Sequence, residues 1–347
     1  MRPRIALTLG DVAGIGPEVV ARSLVDERLE TCCRPVVVGH PEVLRRALAL
    51  IGSSVTVRER KSLAETDSSA NDIMCWNPSN DEAAAVPSGR IDARAGRAAY
   101  DYLTAAARAA LRGEIDAITT APLNKAALHA AGLNYPGHTE ILAEECGVRE
   151  FAMMLYLPPG EPLRGPFGLG VAHVTLHTSI KSVPGLLSAS HIEETIQLVD
   201  GFLKRMGCQS PRVGVCALNP HAGEEGLFGD EEATLIAPAV ESARRAGVNA
   251  TGPIPADALL RRAVHGEFDG VAAMYHDQGH IALKLIGFER AVNVTLGLPI
   301  VRTSPSHGTA FDIAWQGIAR AEGFVEAVRT AAMLVHRSRS SNFGKRL

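Results

Sequence analysis

Short β-branched or apolar runs alternate with alanine-rich, helix-period stretches along much of this chain, and that alternation constrains the fold more than any single motif does. "RIALTL" is followed by "PEVVARSLVDERL", "PVVVG" by "PEVLRRALAL", and "DAITT" by "NKAALHAAG". Strands that alternate with helices pair side by side in a parallel sheet whose faces the helices cover. At 347 residues the chain exceeds what one hydrophobic core usually organises. The expected architecture is therefore α/β in two lobes, with a mainly parallel central sheet and an interlobe cleft. The expected division is residues 1–130 plus 290–347 as one lobe and 131–289 as the other.

The longest helical candidate runs from Asp92, a plausible N-cap, to Glu114, with Gly113 near its end. "RVGVCALNP", "FDGVAAMY" and "AVNVTLGLPIVRTS" each read as a buried strand that stops at polar residues. In open α/β sheets ligands collect at the carboxyl ends of strands, so these stops are where chemistry is expected. Ser62–Gly89 reads as a loop-rich excursion around "DIMCW", and the closing "RSRSSNFGKRL" as a frayed polar tail without function.

Lys+Arg total 35 against 38 Asp+Glu, a net charge of -3, which excludes a general attraction to nucleic acid or anionic membrane. Any anion must be held by a local cluster. Six cysteines (Cys32, Cys33, Cys75, Cys146, Cys208, Cys216) form no C-x-x-C pair, which favours reduced thiols over zinc–thiolate sites. Asp11 interrupts the first apolar run too early for a signal-peptide core, and no run reaches membrane-span length. A cytoplasmic location is expected.

Three histidines follow strands: His177 in "GVAHVTLHTS", His221 in "ALNPHAGEEG" and His276 in "AMYHDQGH". Neutral imidazoles from separate strand ends can bind one divalent cation and leave positions open for a substrate oxygen. Among twelve histidines, chance proximity is the competing explanation. Asp257 in "GPIPADALL" reads as an N-cap, or as a fourth ligand or base beside the metal. In "AMYHDQGH", Asp277 and Gln278 are suited to orienting the site and Gly279 to a sharp turn.

Lys284, Asn293 and Arg302, with His138 and Thr139 in "YPGHTE", form a second group that suits a phosphate, although for Lys284 or Arg302 alone snorkelling or a solvated ion pair is the first explanation. "GDVAGIGPE" lacks the G-x-G-x-x-G spacing and reads as a strand-to-helix connector with Pro17 in the helix's first turn. In "HGTAFDIAWQGIA", His307, Gly308 and Thr309 would open a helix whose N–H groups suit an anion, with Asp312 placed for a ribose diol. An ordinary helix start is the alternative. These parts leave open a metal-dependent dehydrogenase, a metal-assisted hydrolase and a non-catalytic phosphate-ligand-binding protein.

Taken together, "TLGDVAGIGPE", "TAPLNKAALHAAGLNYPGHTE", "LNPHAGEEGLFGDEE", "GPIPADALL", "MYHDQG", "VNVTLGLPIVRTS" and "HGTAFDIA" resemble the 4-hydroxythreonine-4-phosphate dehydrogenase family, in order from Thr8 to Ala314. The resemblance implies an isocitrate/isopropylmalate dehydrogenase-like fold and a homodimer with its active site at the subunit interface. It implies that His177, His221 and His276 bind one divalent metal ion (zinc, manganese, cobalt or magnesium), with His276 arriving from the partner subunit. It further implies that His138, Thr139, Lys284, Asn293 and Arg302 hold a small phosphorylated substrate, with Asp257 beside the metal; Asp257 and Lys284 are the candidate catalytic residues. His307, Gly308, Thr309 and Asp312 would bind the nicotinamide cofactor, with Asp312 favouring NAD because a 2'-phosphate would meet its charge.

The implied chemistry is oxidation of a phosphorylated four-carbon 3-hydroxy acid, followed by decarboxylation. Members that make the vitamin B6 precursor carry Leu-Pro after "MYHDQG" and His-Leu-Pro-Leu-Arg at the first metal histidine. This chain reads "HIALK" and "HTSIK" there, and so is more similar to a branch acting on D-threonate or D-erythronate 4-phosphate. A relative that oxidises a cyclohexadiene-diol dicarboxylate is disfavoured by the presence of Lys284, Asn293 and Arg302.

Overall fold

The computed structural model describes residues 2–63 and 72–343, with side chains as far as residue 339. In chain order, β1 (Arg4–Thr8) leads to α1 (Gly16–Leu24), α2 (Glu27–Cys32), β2 (Arg34–Val38), α3 (Pro41–Leu50), β3 (Thr56–Arg60) and β4 (Asp72–Trp76). Next come α4 (Ala93–Leu111), β5 (Ala117–Thr120), α5 (Lys125–Ala130), α6 (His138–Cys146), β6 (Ala152–Leu157), β7 (Leu169–His173), α7 (Val183–Leu186) and α8 (Ala189–Arg205). Then follow β8 (Val213–Cys216), α9 (Ala237–Arg245), β9 (Ala250–Ile254), α10 (Ala256–Val264), β10 (Gly270–Ala273), α11 (His276–Gly287) and β11 (Val292–Leu296). The chain closes with β12 (Val301–Pro305) and α12 (Glu322–Phe343).

Packing divides these elements into two units, the first running through Arg149 and resuming at Leu298, the second spanning Glu150–Gly297. Residues 131–149 therefore pack in the first unit and residues 290–297 in the second. In the first unit the strand order is β3-β4-β2-β1-β5-β12 and every pairing is parallel. Helices cover such a sheet on both faces, which is why β5 is buried at every residue rather than at alternate ones. In the second unit the order is β11-β6-β7-β10-β8-β9; β6 pairs antiparallel with both β11 and β7, and the remaining pairs are parallel. Its core joins Leu155, Val171, Leu259, Phe268, Val271 and Leu283.

The Asp92 carboxylate caps α4 by accepting the Arg94 N–H. Along α4 the buried Ala95, Ala98, Ala99, Tyr102, Leu103 and Ala106 fall at helical spacing, and mostly small side chains allow close approach to α5. Gly96 marks the tightest point. A Cβ there would stand 2.1 Å from Ala127 O, across the two helices.

Three expectations from the sequence are corrected. "AVNVTLGLPIVRTS" forms two strands, β11 and β12, because the chain turns at Gly297 with φ +87. "DIMCW" is β4, a strand paired with both β2 and β3, with Met74 and Cys75 buried. The polar tail does not fray at residue 337: α12 continues to Phe343, carried by the buried Phe324, Val325, Val328, Ala331 and Val335, and Arg339 pairs with Asp116. Residues 344–347 of that tail lie outside the described residues. Among the described residues no helix is long and apolar enough to cross a membrane.

Gly96→Ala separates local preference from packing. Helix propensity favours alanine by about 1 kcal/mol, whereas overpacking costs roughly 1–3 kcal/mol, and here the obstacle is backbone that no rotamer change relieves. The variant should unfold at lower urea concentration with an unchanged m-value. A raised midpoint would mean that α4 and α5 lie farther apart than described.

Candidate active site

In the first unit, polar groups gather where parallel strands end. Arg302 lies in β12 at 2% exposure, opposite Ile118 of β5. Strand alternation sends neighbouring side chains to opposite faces. On one face, Thr119 and Thr303 join hydroxyls at 3.0 Å and Thr303 donates to Ala327 O. On the other, Arg302 Nη2 donates to Thr120 Oγ1 at 2.7 Å. Burial lowers the Arg302 pKa to about 10, a shift that the field of Glu140 opposes. The guanidinium stays charged at neutral pH.

His138 is the first residue of α6 and directs Nε2 at Ala121 O, 3.2 Å away. A carbonyl only accepts, so Nε2 carries the proton. Desolvation, then the charge of Arg302, holds His138 well below the usual imidazole range. The neutral ring therefore keeps Nδ1 as an acceptor, suited to a ligand O–H. Thr139 follows on the same first turn, half-buried.

The segment His307–Ala319 corrects a further expectation, because no helix opens at Gly308 and Thr309. Ala310 and Trp315 have φ of 41° and 61°, and the loop is instead tied to the turn after β1. Ile15 N donates to Thr309 O at 3.0 Å, Trp315 Nε1 to Val12 O at 2.9 Å, and Ala319 N to Glu18 Oε1 at 2.7 Å. A Cβ on Gly14 would come within 2.8 Å of Thr309 O. "GDVAGIGPE" is thus both a connector and the support of the proposed cofactor loop. His307 donates Nδ1–H to Gly308 O, and burial lowers its pKa; Asp312 is exposed.

Asp11 was missed by sequence reasoning, which treated that turn as plain. It is fully buried: Oδ1 accepts from Ala13 N at 2.9 Å, its own N–H bonds Pro122 O, and Oδ2 has no hydrogen-bond partner among the described residues. Burial raises its pKa to about 6, outweighing the bond from Ala13.

In the second unit a row of imidazoles lies beyond the ends of β7 and β10. His173 closes β7, and its ring touches that of His280 in α11, with His280 Nδ1 3.1 Å from His173 Nε2. His173 Nδ1 is 3.4 Å from Met153 O, so His173 donates to the carbonyl and accepts from His280. Burial depresses both, His173 to about 4 and His280 to about 3. Gly279 makes no sharp turn. It lies inside α11, where a Cβ would meet His173 Nε2 at 2.5 Å, so its role is close packing.

His280 stacks on His276 at 3.7 Å between centroids, and His276 faces His177 at 6.0 Å. Asp277 Oδ1 accepts the His276 Nδ1–H at 2.6 Å, which leaves Nε2 as the free donor pair. Gln278 ties the ends of two strands together, accepting from Met274 N and donating to Ala217 O, both at 2.7 Å.

His221 lies in Pro220–Gly226, its side chain 74% exposed. Asp257 is the second residue of α10 and exposed; Pro255 takes the cap position, so the N-cap reading is corrected. Lys284 is on α11, its Nζ 5.9 Å from the Phe288 ring, and Asn293 is on β11, its Oδ1 buried without a hydrogen-bond partner among the described residues. Among the described residues of one chain, no group of three or more His, Cys, Asp or Glu is arranged to hold an ion. His177 and His276 are brought together, but the structure does not bring His221 and Asp257 into such a group with them.

Mainly parallel sheets with polar groups near their strand ends define an α/β protein of the doubly wound kind. A β-decarboxylating dehydrogenase from Thermococcus kodakarensis shares this fold at TM-score 0.51 and 16% identity, covering 98% of this chain and 84% of that one. Residues 31–331 match the family described as Pyridoxal phosphate biosynthetic protein PdxA, and the chain belongs to that family. It is 44% identical over 331 residues to a D-threonate 4-phosphate dehydrogenase of Salmonella typhimurium, covering 95% of this chain and 98% of the relative. It is also similar to the crystal structure of a 4-hydroxythreonine-4-phosphate dehydrogenase from Klebsiella pneumoniae, at TM-score 0.84 and 43% identity over 96% of this chain and 99% of that one.

Asp11 makes a pH-dependent prediction. The folded chain holds a proton on this carboxyl that the unfolded chain releases, so its contribution to stability is lost as pH rises from about 4 to about 6. Asp11→Asn keeps the acceptor for Ala13 and removes the titration. At pH 8 the variant should be more stable by up to about 3 kcal/mol, at roughly 1.4 kcal/mol per pKa unit, with the difference vanishing toward pH 4. An advantage confined to acid pH in urea melts would contradict this assignment.

Proposed function

We propose that this chain oxidises a phosphorylated four-carbon 3-hydroxy acid, with D-threonate or D-erythronate 4-phosphate favoured over 4-hydroxy-L-threonine 4-phosphate, and that loss of CO2 follows. The observation that carries the reading is Arg302, a charged guanidinium at 2% exposure in a chain of net charge -3. A guanidinium held among buried strands can meet a dianionic phosphoryl group with charge-assisted hydrogen bonds, which are stronger than neutral ones. The names of the relatives point the same way, since each is a dehydrogenase of a 4-phosphorylated four-carbon acid. "HIALK" after "MYHDQG" supports the sugar-acid branch.

His138, Thr139, Lys284, Asn293 and Arg302 are the proposed substrate-holding groups. His138, neutral with Nδ1 as acceptor, would take a substrate O–H rather than donate to the phosphate. His177, His221 and His276 are the proposed metal-holding residues, with His276 meeting the other two from the partner subunit: the imidazole donor set suits a divalent cation. When bound, the cation supplies a Lewis acid toward the substrate alcohol and the nicotinamide a two-electron acceptor. Asp257 and Lys284 are the proposed proton-transfer groups. His307, Gly308, Thr309 and exposed Asp312 are the proposed cofactor loop, Asp312 favouring NAD through repulsion of a 2'-phosphate.

A homodimer is part of the reading, with His276 acting in the partner's site. The helix that His276 opens supports this: Ile281 and Leu285 on it, and Phe288 just past its end, are exposed apolar side chains, Leu285 at 83% exposure. Six free cysteines, four of them buried, fit a cytoplasmic protein.

The test is to incubate the protein with a divalent metal, NAD and the three 4-phosphorylated acids, alongside their dephosphorylated forms. NADH should form with at least one phosphorylated acid and far more slowly without the phosphate; silence across the panel would remove the claim. Arg302→Ala should raise KM about 10- to 100-fold, as expected for one charge-assisted hydrogen bond of about 1.5–3 kcal/mol. An unchanged KM would mean that Arg302 holds no phosphate.

A further inference from the structure

The loop carrying His221 is wound the wrong way. His221, Ala222, Gly223, Glu224 and Glu225 have φ of 53°, 57°, 81°, 46° and 54°, a complete left-handed turn with four non-glycine residues. Each non-glycine residue in that conformation costs roughly 1–2 kcal/mol, so the turn persists only if its surroundings impose it.

One buried carboxylate is placed to do so. Glu232, 6% exposed, accepts through Oε1 from Leu218 N at 2.8 Å and Asn219 N at 2.7 Å, and through Oε2 from Asn219 Nδ2 at 3.0 Å. Asn219 Nδ2 also reaches Glu231 Oε2 at 2.7 Å. These bonds grip the chain directly before Pro220, where the turn begins. The far side is fitted as closely: a Cβ on Gly223 would stand 2.8 Å from Glu232 Oε2, and one on Gly229 2.5 Å from Glu231 Oε2. Glu232 also opens a π-helical turn, Glu232–Ile236, an irregularity that is frequent at functional sites. The hydrogen bonds hold Glu232 ionised: desolvation alone would raise its pKa, but the bonds, chiefly from Asn219, lower it.

We propose that Glu232 is a positioning residue that holds the left-handed turn and thereby presents the His221 imidazole to a divalent cation. The proposal rests on the reading of His221 as a metal-holding residue. Both Glu232 oxygens accept from Leu218 and Asn219, so the residue acts through the turn. A carboxylate is suited to the task because it offers two acceptor oxygens to donors that all come from one short segment. Glutamine keeps Oε1 for the two backbone N–H groups but sets its own NH2 against Asn219 Nδ2.

The experiment titrates cobalt(II) alone into the full-length parent, Glu232→Ala, Glu232→Gln and His221→Ala, reading the visible d–d spectrum, with circular dichroism and a melt as checks on folding. Glu232→Ala should weaken cobalt binding at least tenfold and alter the band, with Glu232→Gln intermediate. In turnover with the phosphorylated acid, both should lower kcat while KM stays within threefold, since the phosphate anchor is elsewhere. If Glu232→Ala fails to fold, Glu232→Gln carries the test with an expected weakening of about threefold or more. Parent-like cobalt affinity and spectrum in a folded Glu232 variant would overturn the proposal. Parent-like binding by His221→Ala would instead overturn the underlying metal reading, and the proposal with it.

Discussion

A parallel strand buried on both faces has only its two ends at which to meet a ligand, and this constraint governs where chemistry occurs in the protein. β1, β5 and β12 in one unit, and β7, β8 and β10 in the other, are buried along nearly their whole length. Several polar side chains are placed instead in turns (Asp11, His177, His221) or at the first residue of a helix (His138, His276). Arg302, His173 and Asn293 lie within strands, and Thr120 and the field of Glu140 keep the charge of Arg302 in place.

Desolvation then sets the protonation states. In the first unit it leaves Arg302 cationic, His138 neutral and Asp11 reluctant to ionise, three groups of different hydrogen-bonding character within a few residues of the β5 end. In the second it keeps His173 and His280 neutral, so the hydrogen bond between them has one donor and one acceptor and the pair packs behind His276 without added charge. A protonated pair would repel itself and any nearby cation. The apolar strand ends thus fix which atoms are lone pairs.

What could be read from the residues follows from how local the determining forces are. The strand–helix alternation, the Asp92 cap and the positions of His177 and His276 after strands were legible because hydrophobic period and capping act within one turn or one strand. The loop His307–Ala319 was misread as opening a helix because its anchors at Val12, Ile15 and Glu18 lie about 300 residues away and outweigh local propensity. Gly279 looked like a turn residue, yet the space it vacates is filled by His173, far off in sequence. Glu232 gave no signal at all, because its value comes from a backward-wound turn that no propensity favours.

The central claim is that these groups serve removal of hydrogen from a carbon bearing a secondary alcohol. The direct measurement uses the favoured four-carbon acid 4-phosphate carrying deuterium at C3, with mass spectrometry of the recovered nicotinamide and trapping of released CO2. The account predicts one deuterium in the reduced cofactor for each CO2 evolved. Deuterium retained in the product or lost to water, with the nicotinamide unlabelled, would contradict it.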